Sequence, residues 1–374
     1  MQSDAPYLDA AHMARALQLA WRGQYSTSPN PRVGCVLTDE QGRIVGEGWH
    51  RKAGQAHAEV NALAQAGDKA KGATCYVTLE PCSHHGRTGP CADALLRAGV
   101  KRVVAAMQDP NPEVAGNGIK RLRDAGVQVD VGLLGAEAEK LNQGFIKRMR
   151  TGMPWVTVKL AASLDGKTAL ANGNSQWITG PEARRDVQRH RAQSCAVLSG
   201  AGTVMSDNPS LNVRFNELTH VDCDDLHVYQ RQPLRAIIDG QNQLHSQLRL
   251  LSLDGDIVVF NKAYNPRLSD TAAQQVHIDR GGAHIELTAI LRELAQRQCN
   301  TVWVEAGARL AGALLEKTLV DELIVYQAPK LLGGGARELL HTAPYTTLSD
   351  AIKLDWQDIR QVGDDIKITA LVTN

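Results

Sequence analysis

The strongest constraint on how this chain can fold is a regular exchange of helical and strand-like segments that stops near residue 150 and then begins again. Apolar residues recur at helical spacing over 5–21 (Leu8, Ala11, Ala14, Ala16, Leu17, Ala20), which predicts an opening helix. Two short apolar stretches, 33–38 and 43–48, flank Asp39-Glu40-Gln41-Gly42 and predict a hairpin. Helices over 57–66, 91–98, 118–125 and 136–149 then alternate with strands over 74–79, 102–107 and 127–131, a pattern that buries its apolar faces by laying helices on a sheet. Thr151-Gly152-Met153-Pro154 breaks the pattern, and the β-branched run Val156-Thr157-Val158 restarts it. A strand over 155–162, a helix over 181–192 and strands near 195–199, 236–238, 257–260, 302–304 and 323–326 follow, with an unpatterned polar stretch at 212–232. The expectation is two α/β domains, 1–150 and 151–374, without internal repeats.

Charge decides what kind of partner such domains can serve. The 41 Lys and Arg nearly cancel the 40 Asp and Glu, so no overall field draws the protein to nucleic acid or an anionic membrane, and an anionic ligand must be caught by local groups. The N-terminal residues lack the basic and apolar regions of a secretory signal, and no apolar run reaches the roughly 18 residues of a membrane span. Seven cysteines, an odd number, argue against a fully paired disulfide framework. A cytoplasmic location fits these features, and oligomeric state stays open, a homo-oligomer included.

Three residues in the first half have the donor chemistry of a metal site. His57 opens a helical stretch, Cys82 follows a strand behind Pro81, and Cys91 opens the next helix. One imidazole and two thiolates suit Zn²⁺ and leave a fourth position for water, as a catalytic zinc site requires. Glu59, two residues after the histidine, can stand beside a metal and shuttle a proton, the arrangement of zinc nucleobase deaminases. In those enzymes the two cysteines are separated by two residues; here eight intervene. A structural site closed by His84 or His85, or unrelated core cysteines, are the alternatives. Cys35 and Cys75 lie in strand-like runs and read as small buried hydrophobes.

The run Thr78-Leu79-Glu80-Pro81-Cys82-Ser83-His84-His85-Gly86-Arg87-Thr88-Gly89-Pro90-Cys91 resembles the deaminase domain of the bifunctional riboflavin-biosynthesis deaminase-reductase family, in which the wider cysteine spacing is normal. Ser28-Pro29-Asn30-Pro31-Arg32-Val33-Gly34, Gly48-Trp49-His50 and Gln108-Asp109-Pro110-Asn111-Pro112 extend the likeness over the first half. The resemblance implies a cytidine-deaminase-like α/β/α domain with one Zn²⁺ on His57, Cys82 and Cys91 and Glu59 as the catalytic proton shuttle. The implied reaction is hydrolytic removal of an amino group from a ribosylated diaminopyrimidinone 5′-phosphate, a small phosphorylated pyrimidine. Asn30 and His50 match substrate-contacting positions, and His84 and Arg87 of the insert could grip the phosphate or be solvated loop residues.

Residue chemistry alone says less about the second half. Gly166-Lys167-Thr168 looks like the end of a P-loop, but Ala161 stands where its first glycine belongs, and no G-x-G-x-x-G occurs. Two segments, 197–203 and 304–312, run from a strand through glycines into a helix and could present amides to an anion or be ordinary turns. Lys159-Leu160-Ala161-Ala162-Ser163-Leu164-Asp165-Gly166-Lys167, Ser175-Gln176-Trp177-Ile178-Thr179, Asp207-Asn208-Pro209-Ser210-Leu211, Val304-Glu305-Ala306-Gly307 and Ala328-Pro329-Lys330-Leu331-Leu332-Gly333-Gly334 are similar to the same family's reductase domain. That resemblance implies a dihydrofolate-reductase-like α/β fold and the cofactor NADPH. By position, Ala161, Trp177, Thr203, Asp207 and Gly307, Ala308, Arg309, Leu310, Ala311, Gly312 and Ala313 would line the cofactor site. Ser175, Arg191, Leu211, Arg214 and Glu305 would meet the substrate, with Lys159 near its sugar. Residues 215–300 carry the weakest likeness.

Overall fold

The structure, a computed structural model, describes residues 5–83, 89–112, 114–218, 230–278, 281–282 and 284–373. Its internal contacts divide the chain into two compact units that change over between Gly152 and Met153.

The first unit runs α1 (Ala5–Trp21), β1 (Gly34–Thr38), β2 (Ile44–Trp49), α2 (Ala58–Ala66), β3 (Thr74–Val77), α3 (Cys91–Arg97), β4 (Arg102–Ala105), α4 (Asn117–Asp124), β5 (Gln128–Val131), α5 (Gly135–Leu141) and α6 (Gln143–Thr151). Its sheet has the order β2-β1-β3-β4-β5, antiparallel across the expected hairpin and between β1 and β3, parallel from β3 to β5. Side chains on a strand alternate between faces, and both faces are apolar here. Cys35, Leu37, Cys75, Val77, Val103 and Ala105 pack against Ala58, Ala62, Leu95, Ile119 and Leu122 of α2, α3 and α4. Val36, Tyr76 and Val104 pack against Met13, Ala16, Leu19, Ala138 and Ile146 of α1, α5 and α6. The result is the α/β/α sandwich. Cys35 and Cys75 are fully buried, as expected of small hydrophobes.

One correction concerns the expected single helix over 136–149. It is two helices, because Asn142 leaves helical geometry (φ −117°, ψ 19°). Its side chain is committed elsewhere: Oδ1 accepts from the Arg32 amide at 2.8 Å and Nδ2 donates to the Arg32 carbonyl at 2.8 Å. Those two bonds, competing with the helix for Asn142, anchor the loop that carries Asn30.

The second unit runs β6 (Trp155–Ser163), β7 (Lys167–Ala169), α7 (Pro181–Gln193), β8 (Ala196–Gly200), α8 (Ala201–Asp207), β9 (Leu234–Ile238), β10 (Ile257–Asn261), β11 (Gln274–His277), α9 (Leu287–Gln296), β12 (Thr301–Glu305), α10 (Ala308–Glu316), β13 (Glu322–Ala328), β14 (Arg337–Glu338), β15 (Lys353–Val362) and β16 (Asp365–Thr373). Among the described residues, nine strands form one sheet in the order β11-β10-β9-β8-β12-β6-β13-β16-β15, parallel from β11 to β13 and closed by an antiparallel hairpin. Val156, Val158 and Leu160 face one apolar layer with α9 and α10, and Trp303, Ile324 and Tyr326 face the other with α7. The hairpin β15–β16, helix α9 and strand β11 were not anticipated.

Candidate functional site

In the first unit, chain direction brings the metal-type donors together. His57 is the N-cap of α2, and Cys91 is the first residue of α3. Cys82 lies on the loop leaving β3, whose carbonyl accepts from the Ala92 amide at 3.1 Å. The one ligand atom that each residue offers lies within 4.8 Å of the other two. His57 Nδ1 is 3.6 Å from Cys82 Sγ and 3.3 Å from Cys91 Sγ. Tetrahedral zinc with ordinary Zn–S and Zn–N bonds sets its N and S ligands about 3.5 Å apart, so both imidazole–thiol distances suit the ion. The hydrogen bonds from Cys91 and His57 pull Cys82 toward the thiolate, while Cys82 and burial push the Cys91 thiol up. A bound cation would hold both thiols deprotonated.

Glu59 stands in the first turn of α2 and is buried. Burial pushes its carboxyl up to about 7, against the opposing charge of His57. The close approach that seats α2 is made by glycine: a Cβ on Gly48 would sit 2.3 Å from the Ala58 carbonyl oxygen. His50 packs edge-on to His57, with ring centroids 5.2 Å apart. Its Nδ1 lies 3.1 Å from the Ala56 carbonyl, which can only accept, so Nδ1 carries the proton and Nε2 accepts from Asn30 Nδ2 at 3.1 Å. Burial holds His50 below its usual range, consistent with a neutral ring. Asn30, His50, His57, Glu59, Cys82 and Cys91 thus belong to one neighbourhood; His84 and Arg87 lie outside the described residues.

In the second unit, Lys159 and Glu305 are register partners on neighbouring parallel strands. Arg191 from α7 grips Glu305 with both arms of its guanidinium, at 2.5 and 2.8 Å, and donates to the Asn212 carbonyl at 2.9 Å. Trp303 Nε1 adds a third bond to Glu305 at 2.9 Å. Burial alone would raise the Glu305 carboxyl, but Arg191 and Lys159 bring it down to about 2. Burial pulls Lys159 below the usual lysine range. Arg191 is therefore engaged with a carboxylate, and Arg214, exposed, pairs with Glu217 at 2.5 Å. Neither guanidinium is presented unpaired to a phosphate.

The segments expected to line a cofactor site also have definite places. Gly307 caps α10, and its amide donates to Thr203 Oγ1 on α8 at 3.3 Å, bringing the two strand-to-helix turns together. Gly307, Ala308, Arg309 and Leu310 keep some exposure, Ala313 is half-buried, and Ala311 and Gly312 are buried. Ala161 is half-buried on β6, Asp207 ends α8 exposed, and Leu211 is buried with φ 51°. Ser175 is half-buried, while Trp177 is 63% exposed with the Arg184 guanidinium 4.5 Å above its ring. Lys330 holds this loop by donating to the Trp177 and Ile178 carbonyls at 3.0 and 2.8 Å. Trp303 and Lys330, bonded to Glu305 and to the loop of Trp177 respectively, carried no spacing signal that could single them out.

Two family models match the chain: the RibD C-terminal domain over residues 154–368, and the cytidine and deoxycytidylate deaminase zinc-binding region over residues 6–107. The riboflavin biosynthesis protein RibD of Escherichia coli (strain K12) is 53% identical over 360 residues, covering 96% of this chain and 98% of that protein. Among solved structures, form 1 of Acinetobacter baumannii RibD is similar with a TM-score of 0.91 at 45% identity, covering 98% of this chain and 99% of that one. A diaminohydroxyphosphoribosylaminopyrimidine deaminase/5-amino-6-(5-phosphoribosylamino)uracil reductase from Thermotoga maritima is similar with a TM-score of 0.85 at 32% identity, with the same coverage.

Proposed function

The chain belongs to the RibD family of riboflavin-biosynthesis proteins, and from that premise we propose that it performs two consecutive reactions on one small phosphorylated pyrimidine. The first unit exchanges an amino group of a ribosylated diaminopyrimidinone 5′-phosphate for oxygen, consuming water and releasing ammonia. The second reduces the ribosyl group to ribityl with NADPH. The observation that carries the reading is the cluster of His57, Cys82 and Cys91 donors within 4.8 Å, with buried Glu59 on the same helix turn.

His57, Cys82 and Cys91 would hold Zn²⁺, which when bound supplies a Lewis acid that makes water nucleophilic near neutrality. Glu59, buried beside the donors, can take a proton from the attacking water and return it to the departing amine. His50, fixed by Ala56, orients Asn30 by accepting from its amide, which leaves the Asn30 oxygen to receive a substrate N–H. In the second unit, NADPH would lie along Ala161, Trp177, Thr203, Asp207 and the turn opening α10, and would supply the hydride. The protein there positions the two reactants: Lys159 and Glu305 address the sugar, Arg191 and Trp303 hold Glu305 ionised, and Ser175, Leu211 and Arg214 complete the substrate pocket. Arg214 can exchange its exposed partner Glu217 for a phosphate at small cost.

The same reading assigns no nucleic acid and no membrane as partner. No helix among the described residues is long and apolar enough to cross a membrane. It places the enzyme in the cytoplasm, where reduced Cys82 and Cys91 remain available as ligands. Coupled turnover tests it: purified protein, the diaminopyrimidinone phosphate and NADPH, with ammonia release and nicotinamide absorbance followed together. Both signals are expected, the second dependent on the first. Absence of ammonia release from zinc-loaded protein would sink the deaminase assignment.

A further inference from the structure

Glu80 stands two residues before Cys82 and is buried. Its carboxylate collects four main-chain N–H groups from elsewhere in the chain. Oε1 accepts from Gly118 at 2.9 Å and Ile119 at 3.2 Å, in the first turn of α4. Oε2 accepts from Gly116 at 2.9 Å and Asp109 at 3.1 Å. The N-cap of α4, Gly116, has no side chain to cap the helix, so Glu80 does this from 38 residues away. The main chain of Glu80 is tied down as well, its amide donating to the Met107 carbonyl at 3.0 Å. Immediately after it, the Pro81 carbonyl lies against α4 so tightly that a Cβ on Gly118 would sit 1.9 Å from it.

We infer that Glu80 is a positioning residue for the metal loop, locking the main chain at Pro81 so that Cys82 Sγ is held at ligand distance from His57 and Cys91. The inference rests on the zinc reading of those three residues. Cys82 is pinned from its other side by α3, whose Cys91 amide donates to Cys82 Sγ at 3.3 Å and whose Ala92 amide donates to the Cys82 carbonyl. Glu80 supplies the opposing anchor. Four converging N–H groups need a side chain that accepts at both of its oxygens, as a carboxylate does. Glutamine would aim its own N–H₂ at two of them. A ligand loop released by fractions of an ångström loses metal affinity, because such outer partners fix the orientation of the donors.

The test uses the full chain, stripped of metal and titrated with Co²⁺, whose thiolate charge-transfer and d–d bands report a tetrahedral S₂N site, followed by competition with Zn²⁺. If the parent gives no such spectrum, the zinc reading itself fails. With a parental spectrum in hand, Glu80→Gln is expected to bind Co²⁺ and Zn²⁺ about 10- to 100-fold more weakly, with shifted d–d bands. Deaminase kcat should fall while KM holds, and NADPH oxidation on already deaminated substrate should stay within twofold of the parent. Glu80→Asp, which keeps the charge but shortens its reach, should recover part of the affinity, and it serves as the test variant if Glu80→Gln does not fold. Parental metal affinity and spectrum in the folded variant overturn the inference whatever happens to its melting temperature, since Glu80 would then only cap α4.

Discussion

Replacing Arg191 should damage the second unit far more than replacing Arg214, although both are arginines of the proposed substrate site. Arg191 and Glu305 are both mostly buried, with side chains 9% and 14% exposed, and are joined by two charged hydrogen bonds. Holding Glu305 at about 2 instead of 4.5 corresponds to about 3.5 kcal/mol of stabilisation of the ionised form. Removing one partner of a buried pair costs about 3 to 5 kcal/mol by a separate route of reasoning, because the other charge is left uncompensated. Arg191→Ala is therefore expected to lower the melting temperature of this unit by roughly 10 °C. Arg214→Ala, breaking an exposed pair with Glu217, should cost less than about 1 kcal/mol. The pH dependence has a defined sign. A carboxyl whose folded pKa is depressed stabilises the fold fully above its unfolded value near 4.5 and loses that contribution as pH falls toward 2. The deficit of Arg191→Ala should thus be full at pH 7 and shrink below about 4.5. Calorimetry of the whole chain, with the first unit's transition as internal reference, measures it, and Arg191→Met combined with Glu305→Leu should restore most of the loss. An Arg191→Ala protein of near-parental stability with a strongly raised substrate KM would refute the reasoning and make Arg191 a direct phosphate ligand.

Other outcomes follow from the same geometry. Cys91→Ala should lose most bound zinc by metal analysis, and undiminished zinc would remove Cys91 from the donor set. Glu59→Gln should keep the metal but lose roughly 10² to 10⁴ in deamination rate, while still oxidising NADPH with deaminated substrate; deamination within a few fold of the parent contradicts its role. Asp186 accepts from Lys367 and Tyr326, each at 2.7 Å, and is held well below the usual carboxylate range: burial opposes this, and His190 and Lys367 prevail. Its contribution is present above about pH 4 and lost on acidification, so Asp186→Asn should destabilise the second unit at pH 7 and flatten its loss of stability in acid, as read from melting curves between pH 3 and 7.

The parts of this molecule that could be read from sequence are those where one local pattern suffices. The alternation of apolar segments gives the layered first unit because each helix and strand there follows its own period. The donor set was legible because His57, Glu59, Cys82 and Cys91 are rare residue types at informative offsets. The hairpin β15–β16 was not, because β15 is exposed along most of its length and its pairing slips between Trp356 and Asp358, which breaks the two-residue alternation. The end of α5 was hidden for a different reason. Asn142 stops the helix through bonds to Arg32, a partner 110 residues earlier. The resemblance placed Arg191 with the substrate, and nothing in the sequence announces that Glu305 will occupy it.

Strand direction explains why the chemistry gathers where it does. Parallel neighbours end at the same edge of a sheet, so the segments following them meet there. β3 and β4 are parallel neighbours, which puts Glu80 next to Asp109 and lets one carboxylate reach amides beyond both strands. β8, β12 and β6 are likewise adjacent and parallel, so the turn into α8 meets the turn into α10, and Lys159 meets Glu305 in register. Residues more than a hundred positions apart become neighbours by topology, before any ligand is considered. The antiparallel pair β1 and β2 serves the first site differently. It returns the chain so that Asn30, before β1, meets His50, just after β2. A one-residue slip in that hairpin would send alternate side chains to the opposite face and displace His50 from both Asn30 and Ala56. The register Cys35↔Gly48 is therefore as much a part of the proposed deaminase site as the donors, and Gly48 has to be glycine for α2 to bring Glu59 in above it.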